Sequence, residues 1–289
     1  MSSKQASLSL KYYMFDWDDN ILHMPTRIHL EKKVGKGWKP YPVSTAQFAK
    51  IRRDTVNYRP RDLDWDSAFV DFYDAGHRGP RAFLDDTKKA LKPIIDGQAK
   101  GAPSFQKFKK ALVEGRLFAI ITARSHGSAS IRRGVEYFIQ KVLTPAERKK
   151  MVANLRHYVS YFGGNPGNLS DKDMLRNYLD LNHYRGVTSP EFQEIMGRKL
   201  GGSESPEKAK QVAVREFVRH VVTLIEKRRG DETISVGFSD DDPHNVAAIE
   251  AYLRTELAKQ FPGVKFVIYD TSDRRKKGGR KIVIKENKR

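Results

Sequence analysis

Asp16 and Asp18 stand two residues apart in FDWDDN, where the apolar run Leu10–Phe15 gives way to acids. A second apolar run, Ile234–Phe238, gives way to Ser239-Asp240-Asp241-Asp242, and a third, Leu117–Ile121, to Thr122-Ala123-Arg124. If the three runs are parallel strands of one sheet, their carboxyl ends meet at one edge, which is where open α/β sheets bind ligands. That edge then carries four to six carboxylates, a hydroxyl and a guanidinium. Crowded carboxylates repel one another, and a hard divalent cation relieves the repulsion; an all-oxygen ligand set suits Mg²⁺. No His/Cys set competes for zinc. Asp242 precedes Pro243 and an apolar-periodic stretch, so it reads as a helix N-cap, which leaves Asp240 and Asp241 for metal. An acidic cluster at one strand end is often only a turn or a cap. Two such clusters, with a threonine at a third strand end, argue for chemistry.

The elements that must position these groups follow from hydrophobic periodicity. Buried strands are expected at Leu10–Phe15, Leu117–Ile121, Tyr158–Phe162, Ile234–Phe238 and Lys265–Tyr269. Amphipathic faces lie between them: Ile131, Val135, Phe138, Ile139 and Val142; Val212, Phe217, Val221, Leu224 and Ile225; Val246, Ile249, Leu253 and Leu257. Strands alternating with helices predict an α/β fold, a doubly wound parallel sheet covered on both faces. Thr144-Pro145-Ala146-Glu147 is a capping box with proline at the first helical position, and Ser189-Pro190 and Ser205-Pro206 repeat the cap-and-proline pattern.

Two segments break the alternation. Residues 23–105 are long, polar and aromatic, with a helical piece at Ser44–Asn57, and are expected to form a cap inserted over the site. Trp38, Trp65, Phe72 and Tyr73 are candidates there for substrate contact or for the cap's own small core. Residues 164–204 read as a second insert. The expected core is residues 1–22, 106–163 and 205–289, ending in a basic tail from Arg274 with Lys281–Lys285 as a short edge strand.

The chain of 289 residues has a formal net charge of +19. Such an excess attracts polyanions (nucleic acid, nucleotides or acidic membrane surfaces) or is simply a solvated basic surface. With no cysteine, disulfides, thiolate zinc sites and cysteine nucleophiles are excluded. No run approaches the roughly 18 apolar residues of a membrane span, and MSSKQASLSL lacks a signal peptide's apolar core. An intracellular, cytoplasmic place is expected, without a membrane partner. No Gly-rich loop ending in Lys-Ser/Thr is present, which argues against a P-loop kinase.

Taken in order, these motifs resemble the haloacid dehalogenase-like superfamily. FDWDDN is similar to its first motif, FAIIT with Thr122 to its second, a lysine ahead of the fourth strand to its third, and SVGFSDD with Asp240 and Asp241 to its fourth. Asp19 and Asn20 depart from the Gly and Thr or Val often found after the second aspartate. For the lysine, Lys208 and Lys210 both fall in the first turns after Ser205, and Lys208 is preferred. The resemblance implies a phosphatase, a hydrolase in which Asp16 attacks phosphorus and Asp18 acts as acid and then base. It implies Mg²⁺ held by Asp16, Asp240, Asp241 and the Asp18 carbonyl, with Thr122 and the lysine on the phosphoryl oxygens. Thr122-Ala123-Arg124-Ser125 is similar to the second motif of polynucleotide phosphatases, which, with the basic surface, favours a nucleotide or nucleic-acid end as substrate and Arg124 as a phosphate ligand; a small phosphometabolite or a phosphoprotein is the other substrate reading, and pairing of Arg124 with a local carboxylate the other reading of that residue. The competing class is a non-catalytic nucleic-acid-binding protein on the same scaffold.

Overall fold

A computed structural model describes residues 9–200, 205–226, 233–273, 275–276 and 278–284. The tail beyond Ile284, together with Arg274 and Lys277, lies outside the described residues. In chain order the elements begin with β1 (Ser9–Phe15), β2 (Ile28–Val34), β3 (Gly37–Val43), α1 (Thr45–Ile51), β4 (Tyr58–Pro60) and α2 (Trp65–Ala68). There follow α3 (Phe83–Ile95), α4 (Phe105–Val113), β5 (Phe118–Thr122), α5 (Ser128–Val142), α6 (Pro145–Tyr161) and α7 (Asp171–Asp180). The chain then runs through β6 (His183–Gly186), α8 (Pro190–Leu200), α9 (Pro206–Glu226), β7 (Thr233–Asp240), α10 (Pro243–Tyr252), β8 (Val264–Asp270) and β9 (Arg280–Ile284).

Six strands form one sheet in the order β6-β5-β1-β7-β8-β9, parallel except for β9, which runs antiparallel to β8 at the edge. Side chains alternate across a strand, so β1 serves two cores. Leu10, Tyr12 and Met14 join one cluster with α8, α9 and α10. Phe15 joins the other, with α3, α4, α5, α6 and α7. The expected α/β class with a mostly parallel, doubly covered sheet is what the strands and helices build. β1 lies between β5, reached on one side, and β7, reached on the other, so the chain reverses its winding at β1 and opens a crevice there.

Two expectations are corrected. Tyr158–Phe162 is not a strand but the last turn of α6, which starts at the expected Thr144/Glu147 capping box and ends before Gly163, at φ 74°. The aromatic, β-prone residues there are overridden by the helix that precedes them. The sixth strand is instead β6, inside the segment expected to be a second insert. It is short and polar, and Asn182 beside it accepts a 2.6 Å bond from the Phe118 amide at the start of β5.

Within the segment expected as a cap, residues 28–60 hold an antiparallel sheet of order β3-β2-β4. Ile28, Leu30, Val43, Ala68 and Phe72 form its own small core. The small sheet's unit touches the main one at the loops beyond β1, β5 and β7. The Ser125 amide donates to the Phe72 carbonyl, and Arg52 of α1's C-terminus pairs with Glu207 at 3.1 Å and Asp242 at 3.6 Å. Helix α3, by contrast, packs on α5 in the main core. Its Phe83 is fully buried, and a Cβ added to Gly134 of α5 would lie 2.5 Å from the Phe83 ring.

That close approach predicts that Gly134→Val, measured by urea-induced unfolding, lowers stability by about 1–3 kcal/mol through overpacking. An unchanged unfolding midpoint would contradict the packing of α3 on α5.

Candidate active site

Parallel pairing brings the ends of β1 and β7 side by side: Phe15 is in register with Ser239, and the Asp16 amide donates to the Ser239 carbonyl at 2.9 Å. Asp16 and Asp240 therefore emerge together. One carboxylate oxygen from each of Asp16, Asp240 and Asp241 falls within a 4.8 Å group, and both Asp16 and Asp240 are buried. The triad can hold a metal ion. Lys210, buried on α9, reaches in from below: its Nζ donates to Asp16 Oδ1 at 3.0 Å and to Asp240 Oδ2 at 2.7 Å. Three carboxylates and one ammonium leave two negative charges when all are ionised, the charge a divalent cation would balance.

The electrostatics bear the mark of this crowding. Burial pushes the Asp16 carboxyl well above the ordinary carboxylate range; Lys210 pulls it down, and Asp240 and Asp18 push it up again. Asp241 is raised well above its usual value by burial, then by Asp240 and Asp16. For Lys210 burial works toward a lower value, but the charges of Asp16 and Asp240 outweigh it and hold the amine firmly protonated. Groups displaced by desolvation and named charge partners concentrate at functional sites.

Asp18 has a different partner from Asp16. Arg124, fully buried beyond the end of β5, grips it as a fork, Nε to Oδ2 and Nη2 to Oδ1, both at 2.7 Å. Thr122 Oγ1 also donates to Asp18 Oδ2, at 3.3 Å. Arg124 Nη2 reaches Thr26 Oγ1 at 2.7 Å, and its guanidinium lies 4.9 Å from the Phe72 ring centre. Asp18 thus contributes no carboxylate to the triad, and its carbonyl accepts from the Asn20 amide at 2.6 Å. Of the two readings of Arg124, pairing with a local carboxylate is the one seen.

Between the lysines the geometry chooses Lys210, against the preference for Lys208. Lys208 is exposed at the start of α9, where its amide donates to Ser205 Oγ at 3.4 Å. Asp242 is the N-cap expected, its side chain accepting from the His244 amide. Of the aromatic candidates, Phe72 is buried under Arg124, Trp65 packs on Phe48 and Phe69, and Tyr73 donates to Asp66 at 2.7 Å. Trp38 lies out on β3.

Two residues that the sequence marks only as departures from the family motif turn out to bind the site together. Asn20 is fully buried and joins three strand ends. Its Nδ2 donates to the Asp16 and Ser239 carbonyls, both at 3.0 Å, and its Oδ1 accepts from Thr271 Oγ1 at 2.8 Å, beyond β8. Asp19 takes a left-handed conformation at φ 50°, and its Oδ2 accepts from Thr45 Oγ1 at 2.8 Å, tying the acid loop to α1. Burial would raise the Asp19 carboxyl, but bonds from His23, Thr45 and the Ala46 amide bring it below its ordinary value. A cavity of about 850 Å³ lies at the opposite, amino-terminal edge of the main sheet, lined by Leu10, Leu117, Tyr158 and Phe162, and holds none of these residues.

No protein-family model, no curated protein and no solved structure matches the chain, so the roles of these residues rest on their geometry. That geometry makes Lys210 the counter-charge of two buried acids. Lys210→Met is expected to lower the unfolding free energy by about 3–5 kcal/mol in chelator-treated buffer, the usual cost of stranding a buried charge. Added divalent cation should restore part of the loss. Unaltered stability in the variant would contradict the ion-pair role.

Proposed function

We propose that this chain is a Mg²⁺-dependent phosphohydrolase of the haloacid dehalogenase-like kind, acting through an aspartyl-phosphate on Asp16. The observation that carries the reading is the meeting of Asp16, Asp240 and Asp241 within 4.8 Å, at the strand ends where the sheet reverses its winding, with Lys210 between two of them. A hard cation fits this all-oxygen set, and Asp16, Asp240 and Asp241 would hold it. Bound there, it would supply positive charge to the phosphoryl oxygens.

The chain's own groups divide the remaining work. An Asp16 oxygen attacks phosphorus as the bond from phosphorus to the leaving oxygen breaks, and that oxygen takes a proton from Asp18. Water then attacks the phosphorus, giving a proton to Asp18, while the bond to Asp16 breaks and phosphate departs. Lys210 stays protonated beside Asp16 and offsets charge on the transferring group. Asp18 takes up its role when Arg124 turns from it to the incoming phosphate, a partner of the same bidentate geometry. Thr122 stands ready as a further donor. The small sheet, attached through Asp19–Thr45 and Arg124–Thr26, serves as the cap over the site. The net charge of +19 favours a nucleotide or a nucleic-acid end over a neutral metabolite's phosphate.

Turnover of an aryl phosphate is expected with Mg²⁺ and absent with EDTA. Asp16→Asn should reduce it by at least about a thousandfold, the scale on which loss of a nucleophile acts, with the fold intact by circular dichroism. A variant retaining a tenth of wild-type hydrolysis would remove Asp16 from the nucleophile's role. Failure of the wild type on every phosphate ester offered would leave the non-catalytic scaffold.

A further inference from the structure

We infer that the β2–β3 hairpin is a binding platform for single-stranded nucleic acid, running outward from the candidate active site. Its base is fixed to that site. Thr26, just before β2, accepts from Arg124 at 2.7 Å, and Thr45, just after β3, donates to Asp19 at 2.8 Å. From there each seven-residue strand extends roughly 20 Å at about 3.3 Å per residue.

The hairpin changes character along its length. Near the base Ile28, Leu30 and Val43 are buried in the small core. Toward the tip the paired positions become Lys32 with Lys39 and Lys33 with Trp38, and the turn adds Lys36. Lys33, Lys36 and Lys39 are exposed, and none of the hairpin's lysines is in an ion pair among the described residues. The hairpin's one acid, Glu31, is already taken by Arg59 at 2.6 Å.

Aromatic rings are set among these cations. On one face Tyr41 and Tyr58 lie 5.6 Å apart, with Lys32 Nζ 5.4 Å from the first ring centre and 5.9 Å from the second. On the other, the Arg59 guanidinium sits 4.3 Å from the centre of Trp38. Tyr41 is 36% exposed although it belongs to a strand whose base is core. Lysines without acids, set among rings of which Tyr41 is exposed and Tyr58 and Trp38 half-buried, suit a partner that is both polyanionic and rich in flat faces. Single-stranded nucleic acid has unstacked bases to offer the rings and phosphates to offer the lysines. A duplex hides its bases, and an acidic peptide or an anionic bilayer has no faces to stack. The phosphohydrolase reading adds only that a terminal phosphate would occupy the site while the strand follows the hairpin.

The test is fluorescence anisotropy of a labelled mixed-sequence oligonucleotide with the full chain, as a function of salt. Replacing Lys32, Lys33, Lys36 and Lys39 together by Gln is expected to reduce the slope of log affinity against log salt by about 3, near 0.7 for each single-strand phosphate that the variant no longer neutralises. Tyr41→Ala is expected to weaken binding at least about fivefold with the slope preserved, the signature of weakened stacking. Both variants replace side chains outside the small core, and an unchanged circular dichroism spectrum confirms the fold. Unchanged affinity and slope in the lysine variant would overturn the proposal. So would a wild type that binds duplex or anionic vesicles as tightly as single strands while Tyr41→Ala has no effect. If the variants lose oligonucleotide while the wild type hydrolyses no phosphate ester, the platform stands and the catalytic reading falls. If they keep full turnover of an aryl phosphate and still lose oligonucleotide, both stand.

Discussion

Carboxylates that share a dry site must be neutralised, and the structure is arranged around that need. Asp16 and Asp240 are brought together by the parallel pairing of β1 with β7, and Asp241 follows directly. Left alone, such a cluster would strongly destabilise the edge of the sheet that it occupies. Lys210 answers for two of the acids and Arg124 answers for Asp18. The helix that carries Lys210 and the loop that carries Arg124 are thereby fixed relative to β1.

The same constraint couples the two sheets. Arg124 holds Asp18 with one side of its guanidinium and Thr26 with a shared nitrogen, and it rests on Phe72. Asp19 reaches α1, and Arg52 returns from the end of α1 to Glu207 and Asp242. Among the described residues the small sheet's core is a cluster apart from the two cores of the main sheet, and charged groups of the site, with the Ser125–Phe72 backbone bond, span the two. Asn20 ties the backbone beneath these groups together, bonded to the ends of β1 and β7 and to Thr271 beyond β8.

Much of this was legible in the chain, for physical reasons. Strands buried on both faces must be continuously apolar, so β1, β5, β7 and β8 stand out, and the acids at their ends are conspicuous. β6 does not stand out, because an edge strand of four residues with one large apolar side chain has no such pattern. Tyr158–Phe162 has the composition of a strand, yet a capped helix running from Pro145 continues through it to Tyr161. The choice of Lys210 was available in the periodicity. It lies in the stripe of Ala213, Val214, Phe217 and Val221, all buried, whereas Lys208 falls in line with Gln211 and Arg215. A lysine on a buried face must find a carboxylate there. Asn20 gave no comparable signal, since its partners are backbone and hydroxyl groups from strands far away in the chain.

In the proposed reaction the compensated acid cluster transfers a phosphoryl group through Asp16. Its most direct test is to quench the chain in acid during turnover of a phosphate ester with Mg²⁺, reduce with labelled borohydride, and map the labelled peptide. Label is expected at Asp16 and nowhere else, and none in Asp16→Asn. Label at another carboxylate, or turnover with no residue labelled, would contradict it.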